Sequence, residues 1–241
     1  QSTLPAACYA NPDIYALEQQ AVFRQGWVGV GRSDRWPQFG DYSAMELGGV
    51  PTVVVRAEDG RLRAWANTCS HRASQIMVGN GNCSRMRCRF HFWTYGLDGR
   101  LLAAPSMGRT PGFDTADHSL TEFALAEREG FVFVSFEADP VGIDTWLGDF
   151  SQLHAPWPVE SLVTSRRREF TVDCNWKAFA EVFNEYYHLP YVHSASIDNI
   201  YNDPDDPEDV NGSYATHFGT TKGTGGLLED DQDDTLPVIE G

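Results

Sequence analysis

The sequence predicts an α+β protein: a small antiparallel β domain inserted in a larger region of mixed helix and strand. Three observations predict it. From Gly40 to Phe136, short β-rich runs alternate with turn dipeptides such as Asp59-Gly60 and Asp98-Gly99. After Asp139-Pro140 the composition shifts toward helix. Hydrophobic residues make up 41% of the 241 positions and aromatics 12%, enough for a sizeable core and unlike disordered, collagen-like or disulfide-scaffold chains.

The elements follow in order. Asn11-Pro12-Asp13 is a helix start, and Ile14, Leu17, Val22 and Phe23 come at near-helical spacing, so an amphipathic helix is expected over 13–27. Strands are expected over 51–56, 62–66, 86–95 and 130–136, each bounded by turn residues. A further strand is expected near 168–174 and a helix over 175–187. This divides the chain into an N-terminal helical segment (1–39) that packs with the last region, a β domain (40–140) and a third region (141–241). The closing LPVIEG begins an apolar run and stops, so the third region is read as C-terminally truncated.

Charge narrows the partners. The formal net charge is −16, and residues 198–241 hold 12 acids against the single base Lys222. An acidic chain has no counterion-release drive toward nucleic acid and no attraction to anionic lipid, so neither is expected as a partner. No run approaches a membrane span, and the first residues lack the basic and apolar regions of a secretory signal; a cytoplasmic location is expected.

Two segments carry the same ligand pair, Cys69-Ser70-His71 and Cys88-Arg89-Phe90-His91, each just past an expected strand. Two thiolates and two imidazoles can close a metal site. Zinc fingers present both cysteines first and both histidines later, which this order does not match. A Rieske [2Fe–2S] centre holds one iron by two Cys and the other by two His, a split that two Cys/His loops supply directly. A structural zinc, or unrelated cysteines with satisfied histidines, are the competing readings.

The surrounding residues, NTCSHRAS over 67–74 and RCRFHFWTYGLDGR over 87–100, resemble the cluster loops of Rieske oxygenases. The family pattern has Gly where Phe92 stands and Pro-Tyr where Arg89-Phe90 stands. Respiratory Rieske proteins add a disulfide-forming Cys to each loop, and neither loop has one here. Cys8, Cys83 and Cys174 are read as free thiols that serve packing.

Downstream, Glu181, Asn184, Glu185 and His188 fall on one face of the expected 175–187 helix, which Pro190 would end so that His193 swings round to meet His188. Non-haem Fe(II) oxygenases use two His and one carboxylate with open positions for dioxygen and substrate. The segment NWKAFAEVFNEYYHLPYVH resembles the mononuclear-iron segment of the large (alpha) subunit of Rieske non-haem iron oxygenases. That resemblance implies His188 and His193 as iron ligands. It implies Glu185 as the carboxylate bridging a Rieske His of one subunit, His91 or His71, to an iron-ligand His of the next. Glutamate in that position is similar to members that attack quaternary ammonium compounds, and HLPYVH resembles the choline monooxygenase segment. The third iron ligand lies far downstream in the family, and none is nominated from Asp203, Asp205, Asp206, Asp230 or Asp234.

The resemblance implies a helix-grip catalytic domain into which the Rieske domain is inserted. It also implies a terminal oxygenase that hydroxylates or demethylates a small organic substrate with O2. Electrons would come from NAD(P)H through a flavin-containing reductase or ferredoxin, since the chain has no Gly-rich dinucleotide fingerprint. A homotrimer is implied, with an optional small beta subunit. Aromatic-ring dioxygenation and a pure Rieske electron carrier are the competing functions. An aromatic cage for a cation would draw on Tyr186, Tyr187, Tyr191 or Tyr201.

Overall fold

The computed structural model describes residues 4–185, 187–193 and 210–214. The chain forms two compact units, one of residues 12–143 and 159–167, the other of residues 1–11, 144–158 and 168–241. In chain order the elements are α1 (Ala7–Ala10), α2 (Pro12–Ala21), β1 (Val28–Arg32), β2 (Asp41–Leu47), β3 (Val50–Arg56), β4 (Leu62–Ala66), β5 (Asn80–Asn82), β6 (Met86–Arg87), β7 (Thr94–Tyr95), β8 (Leu101–Ala103), β9 (Glu122–Arg128), β10 (Phe131–Ser135), α3 (Ile143–Leu147), α4 (Phe150–Leu153), α5 (Trp176–Phe183) and α6 (Leu189–Val192). Among the described residues no helix is long and apolar enough to cross a membrane.

The first unit is built on a seven-stranded antiparallel sheet in the order β1-β10-β9-β4-β3-β2-β5, with a second sheet of β6-β7-β8. Strand side chains alternate between faces, yet Val53, Val54 and Val55 of β3 are all fully buried, because both faces of this strand are covered. Val53 and Val55 join a core with Met86, Cys88, Trp93 and Tyr95, and Val54 joins another with Trp36, Val132 and Val134. The first core seats the small sheet and both Cys/His loops against the large one.

Several expectations change. The 86–95 run is not one strand: β6 and β7 pair with each other (Met86 with Tyr95, Arg87 with Thr94) and the intervening residues form a loop. α2 ends at Ala21, where Val22 and Phe23 both turn their N–H to the Glu18 carbonyl, and Trp27 instead donates its indole N–H to the Val141 carbonyl at 2.7 Å. β1, β2 and β9 emerge where Gly-rich VGVGR, mixed DYSAMEL and helix-like EFALAER hide the strand period. The turn at Asp98-Gly99 forms as expected, and only glycine fits there: its φ is +76°, and a Cβ would sit 2.5 Å from the Trp65 ring.

In the second unit, residues 168–174 form no strand; they are exposed and unpaired with any sheet. α5 starts at Asn175, whose side chain accepts the Lys177 N–H at 3.0 Å and donates to the Tyr9 carbonyl, also at 3.0 Å. The Tyr9 hydroxyl donates to the Glu181 carboxylate at 2.7 Å, and the Lys177 ammonium lies 5.2 Å from the Trp176 ring and 5.8 Å from the Tyr9 ring. α5 then ends at Phe183, four residues short of the expected limit. Pro190 does not terminate it. Pro190 lies in the first turn of α6, where a missing N–H leaves no helical bond unmade.

Candidate metal centres

The two Cys/His loops share one backbone design. In the first, the Ala73 N–H returns to the Cys69 carbonyl and the Cys69 N–H donates to the Ser74 carbonyl, both at 2.8 Å. In the second, Phe92 N–H returns to the Cys88 carbonyl at 3.1 Å and Cys88 N–H donates to the Trp93 carbonyl at 2.9 Å. In each, the fourth residue after the cysteine takes a left-handed conformation, φ +53° at Ala73 and +59° at Phe92. Glycine adopts such a φ without strain, so Phe92 carries backbone strain that the family's glycine would avoid.

This design sorts the four candidate ligands by depth. Cys69 and Cys88 are 4% and 1% exposed, whereas His71 and His91 lie at the surface edge of the loops, half-buried. The two imidazoles meet edge to face with ring centroids 4.6 Å apart, and His71 stacks on Trp93 at 4.8 Å. The loops thus form an inner pair of sulfurs and an outer pair of nitrogens. Among the described residues no three His, Cys, Asp or Glu side chains converge on one ion.

The surroundings of Cys88 and of His71 favour the ligand form of each. Burial pushes the Cys88 thiol up, but the backbone N–H groups of Phe90 and His91, with Cys69 and Ser74, outweigh it and hold the thiol below its ordinary range. Desolvation, then the neighbouring His91 and Arg72, holds His71 below the ordinary imidazole range. Tyr95, fully buried, sits with its hydroxyl 3.2 Å from Cys69 Sγ and 2.9 Å from Ser70 Oγ. Burial and the Cys69 contact push its hydroxyl up to about 12. The Ser70 hydroxyl donates to the His118 carbonyl at 2.8 Å, which leaves the Tyr95 proton for Cys69 or Ser70.

No motif in the sequence marks Tyr95 or Asn67 for a role. Asn67 is wholly buried and pairs with Met77 like a strand neighbour: its Nδ2 donates to the Met77 carbonyl and its Oδ1 accepts the Met77 N–H, both at 2.8 Å. Two residues before Cys69, it closes the base of the first loop. The available signal was an amide side chain at the end of the apolar strand β4. Of the other thiols, Cys83 and Cys8 are half-buried and Cys174 is exposed, so Cys174 does not serve packing.

The second candidate centre lies around α6. His188 precedes the helix, His193 follows it, and their rings meet with centroids 5.3 Å apart at 70°. Because α5 ends early, Glu185 and His188 sit in the α5–α6 connection rather than on a helix face. The short loop brings them together: Glu185 Oε2 accepts the His188 backbone N–H at 3.2 Å, and Oε1 is hydrogen-bonded to His188 Nδ1. Burial raises the Glu185 carboxyl, and the two His188 donors more than offset it, holding the group below its ordinary range. With Nδ1 engaged, His188 keeps Nε2 for an ion. The Glu181 carboxylate accepts the Tyr9 hydroxyl, and Asn184 stands at the C-terminal cap of α5. Tyr187 and Tyr191 are exposed. Tyr186, Tyr201, Asp203, Asp205, Asp206, Asp230 and Asp234 lie outside the described residues.

Comparison with known proteins adds the family context. Residues 26–116 match the Rieske [2Fe-2S] domain, and residues 159–235 match the ring hydroxylating alpha subunit (catalytic domain). The chain is 34% identical over 209 residues to the glycine betaine monooxygenase oxygenase subunit of Chromohalobacter salexigens, covering 85% of this chain and 46% of that protein. It is 35% identical over 211 residues to the chloroplastic choline monooxygenase of Arabidopsis thaliana, covering 83% of this chain and 50% of that one. The chain spans about half the length of these curated relatives. Among solved structures, the quaternary ammonium Rieske monooxygenase CntA with L-carnitine matches at TM-score 0.77 and 26% identity, covering 85% of this chain and 58% of that one. Naphthalene 1,2-dioxygenase from Rhodococcus sp. with indole matches at TM-score 0.73 and 27% identity, covering 81% and 47%.

Proposed function

The chain belongs to the Rieske non-haem iron oxygenase large (alpha) subunits, and from that premise we propose that it is the terminal oxygenase of a system that oxidises a small quaternary ammonium compound with O2. Electrons come from NAD(P)H through a flavin-containing reductase or a ferredoxin. The observation that carries this reading is the presence, in one chain, of matched Cys/His loops and of two histidines flanking α6 with Glu185 bonded to the first of them.

The donor sets suit the two groups. Cys69 and Cys88 would hold the inner iron of a Rieske cluster, and His71 and His91 the outer one. His188 and His193 would hold Fe(II), with a carboxylate from the remainder of the catalytic domain. When bound, the cluster supplies single electrons and the iron supplies open positions where O2 and substrate meet. The protein's own part is to keep both thiols buried and the His188 ring turned with Nε2 toward the ion. Glu185 does the last of these through Nδ1. The proposed homotrimer would let Glu185 also reach a Rieske histidine of the neighbouring subunit, and a small beta subunit is optional.

The substrate class rests on the relatives, which are named for glycine betaine, choline and carnitine. The test is substrate-dependent O2 uptake by the holoenzyme with a reductase, comparing these three compounds with naphthalene. Coupled uptake with at least one quaternary ammonium compound and none with naphthalene is expected. The reverse pattern would make the chain an aromatic-ring dioxygenase, the reading that the naphthalene 1,2-dioxygenase likeness favours. Cluster reduction with no coupled turnover on any substrate would leave it an electron carrier.

A further inference from the structure

From Asn67 to Leu97 the chain has four arginines and no aspartate or glutamate, a local charge of +4 in a chain of −16. Three of the four, Arg85, Arg87 and Arg89, alternate through β6 and its flanks with the buried Met86 and Cys88 between them, and all three are exposed. They line one groove of about 470 Å³ together with Tyr42, Val78 and Phe92. Val78 and Phe92 are each 56% exposed, and the Arg87 guanidinium lies over the Phe92 ring at 5.4 Å. Among the described residues, none of the three arginines forms an ion pair.

We propose that this groove is the docking face for an acidic iron–sulfur electron-donor protein. The proposal rests on the oxygenase reading above and adds the surface through which that oxygenase is reduced. Position is the first argument. Ile76, Met77 and Val78 leave the first Cys/His loop, the segment 85–94 holds the second, and Cys88 stands between two of the arginines. A protein seated in the groove is therefore held against the backbone of both loops.

Charge is the second argument. Outside residues 67–97 the chain carries −20, which repels an acidic partner, so the arginines favour its approach at this face. Guanidinium groups around exposed apolar side chains also match the make-up of small, transient redox interfaces. A nucleic acid needs a larger basic footprint than three side chains on so acidic a molecule. In the step itself one electron leaves the donor's reduced centre and enters this chain's cluster; no bond forms or breaks.

The test uses the full-length holoprotein and a reduced plant-type [2Fe–2S] ferredoxin as probe, followed by anaerobic stopped flow. Binding of the oxidised ferredoxin is measured by calorimetry across a salt series. Dithionite reduction is recorded first: absence of a Rieske signal there would refute the oxygenase reading, independently of docking. With that signal present, Arg85→Glu/Arg87→Glu/Arg89→Glu is expected to lose about tenfold or more in ferredoxin affinity and reduction rate at low salt and to flatten the salt dependence. Arg85→Gln/Arg87→Gln/Arg89→Gln should lose less, and three reversals elsewhere, Arg61→Glu/Arg109→Glu/Arg168→Glu, should stay within about twofold. Unchanged affinity and rate in both groove variants would overturn the proposal. So would a change of oligomeric state in those variants by light scattering, which would assign the face to a second copy of the chain.

Discussion

Glu185 holds His188 at two points, its backbone N–H at 3.2 Å and its ring Nδ1, while His193 faces the same ring from the far end of α6. A carboxylate behind a ligating imidazole fixes the tautomer and the direction of the free nitrogen. Glu185→Ala should therefore cost about 10–100-fold in iron affinity or turnover, with the cluster intact. His188→Ala should lose the mononuclear iron altogether. Iron per chain and coupled turnover check both; full iron in the His188 variant would remove it from the ligand set.

Asn67 supports the first cluster loop through two hydrogen bonds to Met77. Asn67→Ala would strand a buried N–H and a buried carbonyl, each costing about 1–3 kcal/mol. The expected result is a lower denaturation midpoint and poor cluster incorporation, read from iron and sulfide content. Asn67→Asp keeps the acceptor but sets a buried carboxyl oxygen against the Met77 carbonyl, and should destabilise at least as much as Ala.

Phe92 occupies a left-handed position that the matched Ala73 also occupies. Phe92→Gly relieves that strain and loses little packing, since the ring is exposed; its effect should lie within about 1 kcal/mol of zero. Phe92→Val places a β-branched residue at the same φ and should cost about 1–2 kcal/mol. Denaturant melts of the two variants give the comparison.

The Tyr95 hydroxyl lies 3.2 Å from Cys69 Sγ and 2.9 Å from Ser70 Oγ. A donor to a ligating sulfur favours the reduced, more negative cluster. Tyr95→Phe keeps the ring in the core and removes the hydroxyl, so if that proton points to Cys69 the cluster potential should fall. A redox titration followed by EPR measures it.

Asp149 accepts the Asn211 N–H at 2.9 Å and the Tyr214 hydroxyl. The Tyr214 hydroxyl and then the Asn211 N–H hold its carboxyl below the ordinary aspartate range. A depressed folded-state pKa means the contact stabilises at all pH above the unfolded value, near 3.9, and is lost as pH falls through the folded one. Protection of the Asn211 amide in hydrogen exchange should hold down to about pH 4 and fall below it, and Asp149→Asn should lower it at neutral pH.

The β domain and its four candidate ligands were legible because their signals are local. Turn dipeptides bound the strands, and a Cys/His pair repeated in two loops carries its chemistry in its spacing. The region around α6 was legible in composition and misread in shape. Period alone extended α5 through Glu185 and His188, and took Pro190 for a terminator. What decides that geometry is non-local or stereochemical: Tyr9 holds Asn175 and Glu181 of the α5 region from 166 and 172 residues away in sequence, and proline is as favourable in the first turn of a helix as it is disruptive in the interior. Asn67 and Tyr95 carry no local signal because the partners that give them meaning, Met77 and Cys69, are 10 and 26 residues away.

The central claim is that one chain holds a Rieske cluster and a second, mononuclear iron. The most direct measurement is the visible and EPR spectrum of anaerobically purified protein, with iron and acid-labile sulfide counted per chain. A Rieske-type signal on reduction and more than two irons per chain are expected. A colourless protein containing zinc would contradict it.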